Sequence, residues 1–393
     1  MVNLPRVLII ADDLTGAMDS AGPFAEIGVE TWVVAAPMQC DPDAFGAAQV
    51  VSVNTDSRHL PGPEAAARLR EVLRRLRPAD FDLIVKKIDS TLRGNVVAET
   101  LALLEASGRL AAVVAPAFPA QGRTVKGSVV HVNGVPLAQT DFARDALSPP
   151  PLAPLDRVFA AAAPGMPVIA AEPSGLPGFE NLAGICVVDS SDDADLAVVV
   201  TAAQTRFRDL LLVGSAGMTK ALARACFGSG SSQPARERLD GTIVFAVGSR
   251  AVQSAEQVET LALEPGTAVL TAPNGRLAAS LLPPARNLVI KAVPDDGGQE
   301  TDAMQVAEAM ARHALDVVSR SGAKALVATG GDTAIAILTA SGNPALRVLG
   351  DLMPGIPYAR IKVDGKSFWL VTKAGGFGGR DTFRDVARRL RGC

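Results

Sequence analysis

The sequence predicts an α/β protein with two domains, each a mostly parallel sheet flanked by helices. Three observations lead to this fold class. Short apolar runs alternate with helical patterns along most of the chain, the length of 393 residues suffices for two cores, and residues 228–234 (GSGSSQP) have the composition of a linker. The pattern restarts at residue 241. We therefore expect a first domain at residues 1–228 and a second at residues 240–393.

The first domain is predicted as a series of βα units, because strands that alternate with helices build parallel sheets. The predicted strands lie at 6–11, 31–36, 49–53, 81–86, 111–115, 167–170, 185–188 and 210–213, and the helices at 15–27, 63–76, 94–106, 193–205 and 216–226. Residues 118–147 differ, since they are rich in Gly, Pro, Gln and Thr and lack clear periodicity. A loop of that length inside a compact domain is usually functional, and a hairpin that covers a sheet edge is the alternative.

Composition and charge exclude several classes of protein. The net charge is −3 and no basic stripe is present, which argues against nucleic acid as the main partner. The most apolar windows, such as residues 158–171, are broken by Pro and Gly and are too short to span a membrane. The four cysteines are widely spaced without a CxxC pair, which fits a reducing compartment and argues against a zinc site. The chain begins with a strand pattern and no leader, so we expect a soluble, cytoplasmic protein.

Residues 85–95 (VKKIDSTLRGN) are the most informative stretch, because an apolar strand passes abruptly into polar and charged residues. Open α/β sheets bind ligands at the carboxyl ends of their strands. Lys87 and Arg93 suit a carboxylate, whereas Asp89 and Ser90 suit hydroxyl groups. A solvated loop with helix-capping residues is the alternative. The stretch predicts a site for a small, anionic, hydroxyl-rich molecule.

Two adjacent carboxylates, Asp12 and Asp13, follow the first predicted strand, and Thr15-Gly16 opens the next helix. A helix N-terminus favours a negative charge, so capping accounts for one of the two. Hydroxyl binding, a metal ion or a general base accounts for the other.

The second half carries three junctions in which a strand ends in glycine and a helix follows. They are Gly248-Ser249, residues 329–333 (TGGDT) and residues 373–379 (KAGGFGG). Glycine lets a backbone approach phosphate oxygens, and the helix that follows offers free N–H groups. Three such turns predict a nucleotide cradle, in which Lys373 could pair with phosphate. No Walker A or G-x-G-x-x-G sequence is present, which argues against the usual NTPase and dinucleotide folds.

Together the two halves predict a small-molecule kinase with its active site in the cleft between the domains. One half offers a carboxylate- and hydroxyl-binding edge, and the other half offers a phosphate-binding edge. Phosphoryl transfer requires positioning, a metal ion that neutralises phosphate charge, and closure that excludes water. We therefore expect ATP and Mg²⁺ as cofactors.

These motifs resemble those of the four-carbon acid sugar kinases, which include D-threonate, D-erythronate and 3-oxo-tetronate kinases. They occur in family order across nearly the whole chain. The matching segments are residues 11–17 (ADDLTGA), 54–58 (NTDSR), 87–94 (KIDSTLRG), 116–124 (PAFPAQGRT), 214–217 (GSAG), 248–249 (GS), 329–333 (TGGDT) and 373–378 (KAGGFG).

The resemblance implies that the N-terminal domain binds the sugar acid, that the C-terminal domain binds ATP, and that the product is phosphorylated on the terminal hydroxyl, O4. The implied sugar-acid residues are Asp12, Arg58, Lys87, Asp89, Ser90 and Arg93. The implied ATP residues are Ser249, Gly330, Gly331, Asp332, Thr333 and Gly375.

From the chemistry alone, Asp12 or Asp13 is our candidate base for the accepting hydroxyl, and the metal ligands stay open. The sequence departs from the family pattern at Arg250, where small residues or Cys usually follow the Gly-Ser pair, and at Asp351, whose carboxylate is displaced from its usual place before Pro-Gly. Two alternatives remain. One is a catalytically silent sugar-acid-binding or regulatory protein, and the other is a kinase of a different hydroxy acid, such as a five-carbon aldonate. A homodimer is the base-rate expectation.

Overall fold

The computed structural model describes residues 4–46, 48–145, 148–176, 179–228, 238–278, 281–295, 302–363 and 365–392. The chain divides into two compact units, Met1–Ser231 and Ser232–Cys393. Residues 229–234 of the predicted linker lie outside the described residues. The exact domain boundaries stay predictions.

The first unit is built on a parallel sheet. Its strands are β1 (Val7–Ala11), β2 (Thr31–Val34), β3 (Val50–Asn54), β4 (Leu83–Lys87), β5 (Ala111–Ala115), β6 (Arg123–Lys126), β7 (Val129–Val132), β8 (Val135–Pro136), β9 (Val168–Ala171), β10 (Gly184–Val188) and β11 (Leu210–Gly214). Its helices are α1 (Leu14–Glu26), α2 (Gly62–Leu76), α3 (Val96–Ser107), α4 (Leu155–Ala162), α5 (Asp193–Ala203) and α6 (Ala216–Phe227).

The parallel sheet of this unit has the order β2-β3-β1-β4-β11-β5-β10-β9. Neighbouring strands in this order are parallel throughout. The six strands between β2 and β9 are buried along their whole length, which explains why they are near-continuous apolar runs without alternation. Because β3, β1 and β4 are adjacent, the loops that follow these three strands meet at one edge of the sheet.

Residues 118–147 contain the hairpin that was the alternative prediction. Strands β6 and β7 pair antiparallel, and β8 adds a third strand to this small sheet. Asp189, at the end of β10, accepts hydrogen bonds from the backbone of Gly127 and Ser128 in the hairpin turn, at 2.5 and 2.9 Å. The hairpin is therefore fixed to the end of an interior strand.

The second unit is also built on a mostly parallel sheet. Its elements are β12 (Ile243–Val247), α7 (Val252–Ala262), β13 (Thr267–Pro273), β14 (Asn287–Val293), α8 (Ala303–Ser321), β15 (Ala325–Thr329), α9 (Gly331–Ala340), β16 (Ala345–Met353), β17 (Ile356–Val363), β18 (Lys366–Lys373) and α10 (Thr382–Leu390). The strand order is β13-β14-β12-β15-β18-β17-β16. Strands β13, β14, β12, β15 and β18 are parallel, and β17 and β16 continue the sheet antiparallel.

The core of the second unit lies between this sheet and the helices that follow the glycine turns. Phe383 of α10 packs on Phe245 of β12 with ring centroids 5.4 Å apart, and Tyr358 packs on Trp369 at 5.2 Å. The α/β fold class, with mostly parallel strands flanked by helices in each unit, is confirmed. None of the helices that the structure describes combines the length and the apolar character that a membrane crossing requires.

Candidate functional site

A cluster of charged side chains lies at the carboxyl ends of β1, β3 and β4 in the first unit. Asp12 follows β1, Arg58 belongs to the turn after β3, and Lys87 is the last residue of β4. The backbone N–H groups of Ser57 and Arg58 donate to the carbonyl oxygen of Asp12, at 3.0 and 3.2 Å. Strand adjacency and these two hydrogen bonds therefore bring together residues that are far apart in sequence.

Arg58 joins the two adjacent carboxylates. Its guanidinium donates to both oxygens of Asp12, at 2.9 Å from Nε and 2.8 Å from Nη2, and its Nη1 donates to Asp13 Oδ2 at 2.5 Å. Burial alone would raise the pKa of Asp12. The charge and hydrogen bonds of Arg58, together with the smaller effects of the Lys86 and Lys87 charges, lower that pKa below its usual value. Asp12 is therefore held as a carboxylate.

Asp13 is the N-cap of α1, since its side chain accepts a hydrogen bond from the backbone N–H of Gly16 at 2.6 Å. The capping interpretation thus accounts for Asp13, which also pairs with Arg58, whereas Asp12 lies deeper in the cluster and is only 3% exposed. Gly94 completes the contact around Asp12. It has φ +87°, and a Cβ at this position would lie 2.7 Å from Asp12 Oδ2.

Asp89 forms the second ion pair of the cluster, with Arg93. The guanidinium of Arg93 donates to both Asp89 oxygens, at 3.0 Å from Nε and 3.1 Å from Nη2, and the backbone N–H of Thr91 donates at 3.2 Å. Burial acts to raise the pKa of Asp89, but the charge of Arg58 and the hydrogen bonds from Arg93 and Thr91 lower it far below the usual value. Ser90 lies half-buried beside this pair.

Lys87 is the cation of this cluster that stays unpaired. It is 4% exposed, and within the described residues its ammonium group makes no hydrogen bond and no ion pair. It lies against Gly16 of α1, where a Cβ would be 3.1 Å from Lys87 Nζ. A buried, uncompensated ammonium group is costly unless a ligand supplies the negative charge.

A second, fully buried layer supports the cluster, and the sequence did not predict it. Lys86 Nζ lies 2.7 Å from Glu99 Oε2 of α3, and neither side chain is more than 1% exposed. Ser57 Oγ donates to Glu99 Oε1 at 2.5 Å, and Thr55 Oγ1 lies 2.6 Å from Ser57 Oγ. This chain of contacts fixes the turn that carries Arg58.

Sequence reasoning also missed Asp19 and undervalued Arg123. Asp19 lies on α1, half-buried, where its pKa responds to the charges of Lys87, Asp13 and Asp89. Its spacing of three residues from Gly16 was the signal that could have revealed it, because residues i and i+3 share a helix face.

Arg123, at the start of β6, belongs to a segment that the family resemblance already included. Burial lowers its pKa, and the charges of Asp89 and Arg93 act on it as well, which places its guanidinium near that ion pair. Its Nε is buried and has no hydrogen-bond partner among the described residues. The guanidinium carbon lies 5.6 Å from the ring centroid of Phe142.

In the second unit the three predicted glycine turns converge. They follow β12, β15 and β18, which are adjacent and parallel. A Cβ on Gly330, which has φ +102°, would lie 3.7 Å from the backbone nitrogen and the Cβ of Ser249, and a Cβ on Gly375 would overlap Ser249 Oγ. Thr333 approaches Gly248 so closely that a Cβ there would overlap its hydroxyl group.

The helix that follows the second turn begins at Gly331, with Gly330 as its N-cap. Thr333 is buried in the first turn, whereas Asp332 is exposed there. The free N–H groups of this helix start at the turn and form a site suited to phosphate oxygens. The structure thus brings Ser249, Gly330, Gly331, Thr333 and Gly375 together.

Lys373 lies beneath the third turn. It is 2% exposed, and its ammonium group donates to the carbonyl oxygens of Ala374, Gly375 and Phe377, at 2.7, 3.1 and 2.9 Å. Burial lowers its pKa to about 7. All three donors are used by the turn, so the contribution of Lys373 to a phosphate site acts through the position of that turn.

Two side chains of α7 also hold the third turn. Ser254 Oγ donates to the carbonyl of Gly375 at 2.7 Å, and Gln257 Nε2 donates to the carbonyls of Phe377 and Gly379, both at 3.0 Å. These contacts fix the backbone carbonyls of the third turn against α7.

The two positions that depart from the family pattern have different surroundings. Arg250 is exposed next to the first turn. Asp351 Oδ2 accepts a hydrogen bond from the backbone N–H of Gly355 at 3.0 Å, so this carboxylate stabilises the turn between β16 and β17.

Comparison with known proteins agrees with a charged binding cluster in the first unit and glycine turns suited to phosphate in the second. Residues 7–222 match the family described as Sugar-binding N-terminal domain, and residues 244–383 match the family described as Nucleotide-binding C-terminal domain. A D-threonate kinase of Cupriavidus necator is 35% identical, with 94% of each chain covered. The chain belongs to the four-carbon acid sugar kinase family.

Other members of this family show its range. A 3-oxo-tetronate kinase of Methylobacterium radiotolerans is 28% identical, with 95% of this chain and 96% of the relative covered. A solved structure from Bordetella bronchiseptica, assigned to the domain-of-unknown-function family DUF1537, is a domain-swapped dimer with bound citrate. It is 30% identical, covers 99% of both chains and has a TM-score of 0.51. The family resemblance predicted from the motifs is confirmed.

Proposed function

We propose that this chain transfers the γ-phosphoryl group of ATP to the terminal hydroxyl, O4, of a four-carbon sugar acid such as threonate, erythronate or a 3-oxo-tetronate. The observation that carries the proposal is the convergence of three glycine turns and a helix N-terminus around Ser249 in a unit that matches a nucleotide-binding family. Relatives named as kinases of three four-carbon acids support the substrate class.

The first unit supplies chemistry suited to the acceptor. A monoanionic sugar acid offers a carboxylate to the unpaired ammonium of Lys87, and it offers hydroxyl groups to carboxylates such as Asp12 and Asp89. Carboxylates that are already fixed by Arg58 and Arg93 accept hydrogen bonds without a large ordering cost. The cluster is therefore preorganised for a small polyhydroxylated acid.

The proposal includes Mg²⁺, which would neutralise the phosphate charge when bound. Within the part of the chain that the structure describes, no three His, Cys, Asp or Glu side chains come together as metal ligands. Nucleotide-bound Mg²⁺ usually takes one or two carboxylates together with phosphate oxygens. Asp332, exposed in the first turn of α9 beside the glycine turn, is a carboxylate of this kind.

A coupled assay of ADP release tests the proposal. The panel contains D- and L-threonate, D- and L-erythronate, the 3-oxo-tetronates and several five-carbon aldonates, each with ATP and Mg²⁺. We expect strong turnover with one four-carbon acid and phosphate on its O4 by NMR. Turnover with a five-carbon acid alone would replace the substrate class. Silence across the panel, despite measurable binding of a four-carbon acid, would support the silent binding protein.

Two further parts of the proposal concern the state of the protein in the cell. Cys40, Cys186 and Cys226 are free thiols, which fits a reducing compartment such as the cytoplasm. A homodimer is supported by the dimeric Bordetella structure and is tested by light scattering of the purified chain.

A further inference from the structure

The geometry of the first unit leaves both sequence-predicted candidates poorly suited to act as a base. Both oxygens of Asp12 accept hydrogen bonds from Arg58, and its pKa is lowered. Asp13 is occupied as the cap of α1 and by the same guanidinium. A general base works best with a pKa close to the working pH, and a proton on either carboxylate would weaken its ion pair with Arg58.

Asp19 has the properties that these two carboxylates lack. It lies on α1 three residues after Gly16, hence on the helix face that lies against Lys87 Nζ. It is half-buried, and among the described residues no hydrogen bond or ion pair occupies its carboxylate. Lys87 Nζ is also unpaired in that part of the chain. An unpaired carboxylate and an unpaired ammonium group thus lie on the same face, too far apart to form an ion pair.

Burial is the main cause that favours the protonated form of Asp19. Burial raises its pKa, the charge of Lys87 acts in the opposite direction, and the negative charges of Asp13 and Asp89 add to the increase. Elements β1, β2, β3 and α6 also pack on α1, and within the described residues they add no charged neighbour to this set.

We propose that Asp19 is the general base of the reaction, and that Lys87 orients the acceptor between the two groups. This inference rests on the proposed kinase activity. The O4–H proton passes to a carboxylate oxygen of Asp19, and the O4 electron pair forms the bond to the γ-phosphorus of ATP. The bond between that phosphorus and the β,γ-bridging oxygen breaks, and its electron pair leaves with ADP.

The test measures the pH dependence of kcat with the panel acid of highest turnover. Wild-type kcat falls as the pH decreases through the pKa of the base, because protonated Asp19 cannot accept the proton. This fall of kcat at low pH is the acidic limb of the pH profile. In Asp19→Asn we expect a loss of about 10²- to 10⁴-fold in kcat and a pH profile without the acidic limb. ATP binding, measured by calorimetry, stays within a few-fold of wild type because Asp19 belongs to the other unit.

Asp12→Asn is the matched comparison, with the same chemical change in the neighbouring carboxylate. It should also lower kcat, since Arg58 loses its bidentate partner, but the acidic limb should remain. Loss of the limb in Asp12→Asn and its retention in Asp19→Asn would overturn the assignment. A kcat of Asp19→Asn within about threefold of wild type would also overturn it.

Two measurements distinguish failure of the Asp19 assignment from failure of the proposed kinase activity and from a purely structural role of Asp19. Wild-type silence across the panel refutes the proposed function before any variant is made, whereas an active wild type tests Asp19 alone. Asp19→Glu retains a carboxylate, so it should keep more activity than Asp19→Asn and retain the acidic limb. Equal activity of Asp19→Glu and Asp19→Asn, without a limb in either, would assign Asp19 a purely structural role and overturn the proposal.

Discussion

The buried ion pair of Lys86 and Glu99 allows the effect of a substitution on the free energy of unfolding to be predicted. The two side chains are at most 1% exposed and lie 2.7 Å apart. Glu99→Gln keeps the size of the side chain and an oxygen that can accept from Ser57, but it removes the charge opposite the ammonium group. Among the residues that the structure describes, Lys86 then keeps only its hydrogen bonds to the carbonyls of Lys87 and Ile10, at 2.9 and 3.4 Å.

Removal of one partner from a buried ion pair costs about 3–5 kcal/mol, because the other charge stays buried without compensation. In a unit of this size, each kcal/mol corresponds to about 2–4 °C in Tm. We therefore expect the unfolding transition of the first unit to fall by about 6–20 °C in Glu99→Gln. The double variant with Lys86→Met and Glu99→Leu should lose less, since apolar replacement of both partners is often close to neutral.

Urea unfolding and calorimetry of the full chain measure these differences. Glu105→Gln is the matched control, because Glu105 pairs with Arg70 at 2.8 Å while 72% of its side chain is exposed. Exposed pairs contribute about 0–1 kcal/mol, so this variant should stay close to wild type. A Glu99→Gln variant no less stable than Glu105→Gln would refute the reasoning, as would a double variant less stable than the single one.

Three further predictions concern the glycine turns and the ion pair of the first unit. Gly375→Ala should weaken ATP binding by about 1–3 kcal/mol, because the new Cβ would overlap Ser249. Gly376→Ala is the control, since no atom lies closer than 4.0 Å to its new Cβ, and it should bind ATP normally in calorimetry. Lys373→Met removes three hydrogen bonds to the turn, so it should lower ATP affinity with little effect on sugar-acid binding. An ATP affinity equal to that of wild type would show that the turn holds its shape without the Lys373 ammonium group. Asp89 has a lowered pKa in the folded state, so its contribution to stability is present above the unfolded pKa of about 3.9 and is lost as the pH falls below it. The loss of stability in Asp89→Asn, measured in urea, should therefore be constant between pH 7 and pH 5 and should begin to shrink only below about pH 3.9, as the pH approaches the lowered pKa of the folded state.

The parts of the fold with local signals could be predicted from the sequence. An interior parallel strand is a continuous apolar run, so β1 and β4 were identifiable, and a glycine that follows such a run marks the turns after β12, β15 and β18. Helix α4 was not predicted, and the hairpin of β6 and β7 was only the alternative for residues 118–147, because Pro and Gly interrupt the periodicity around them. Their positions depend on contacts with distant strands, such as those of Asp189.

The candidate site was predictable in composition but not in pairing. The residues at strand ends stand out locally, whereas the contact between Arg58 and Asp12 joins positions 46 residues apart and enters the sequence argument only through the family resemblance. Two consecutive lysines end β4, and alternation directs their side chains to opposite faces of the sheet. Sequence alone did not indicate that Lys86 is buried against Glu99 while Lys87 stays unpaired.

The ion pairs of the first unit have a consequence for the end of the catalytic cycle. Arg58 is neutralised by Asp12 and Asp13, and Arg93 by Asp89, so little positive charge is left over in the cluster. A phosphoryl group adds about −1.5 to −2 charge at neutral pH. On the proposed function, a monoanionic acid finds the open ammonium group of Lys87, whereas the added charge of its phosphorylated form also meets the fixed carboxylates, and Arg123 is the further cation that the described residues offer near them. The pairing of most cations with carboxylates therefore favours a short residence time for the product, without any movement of the protein.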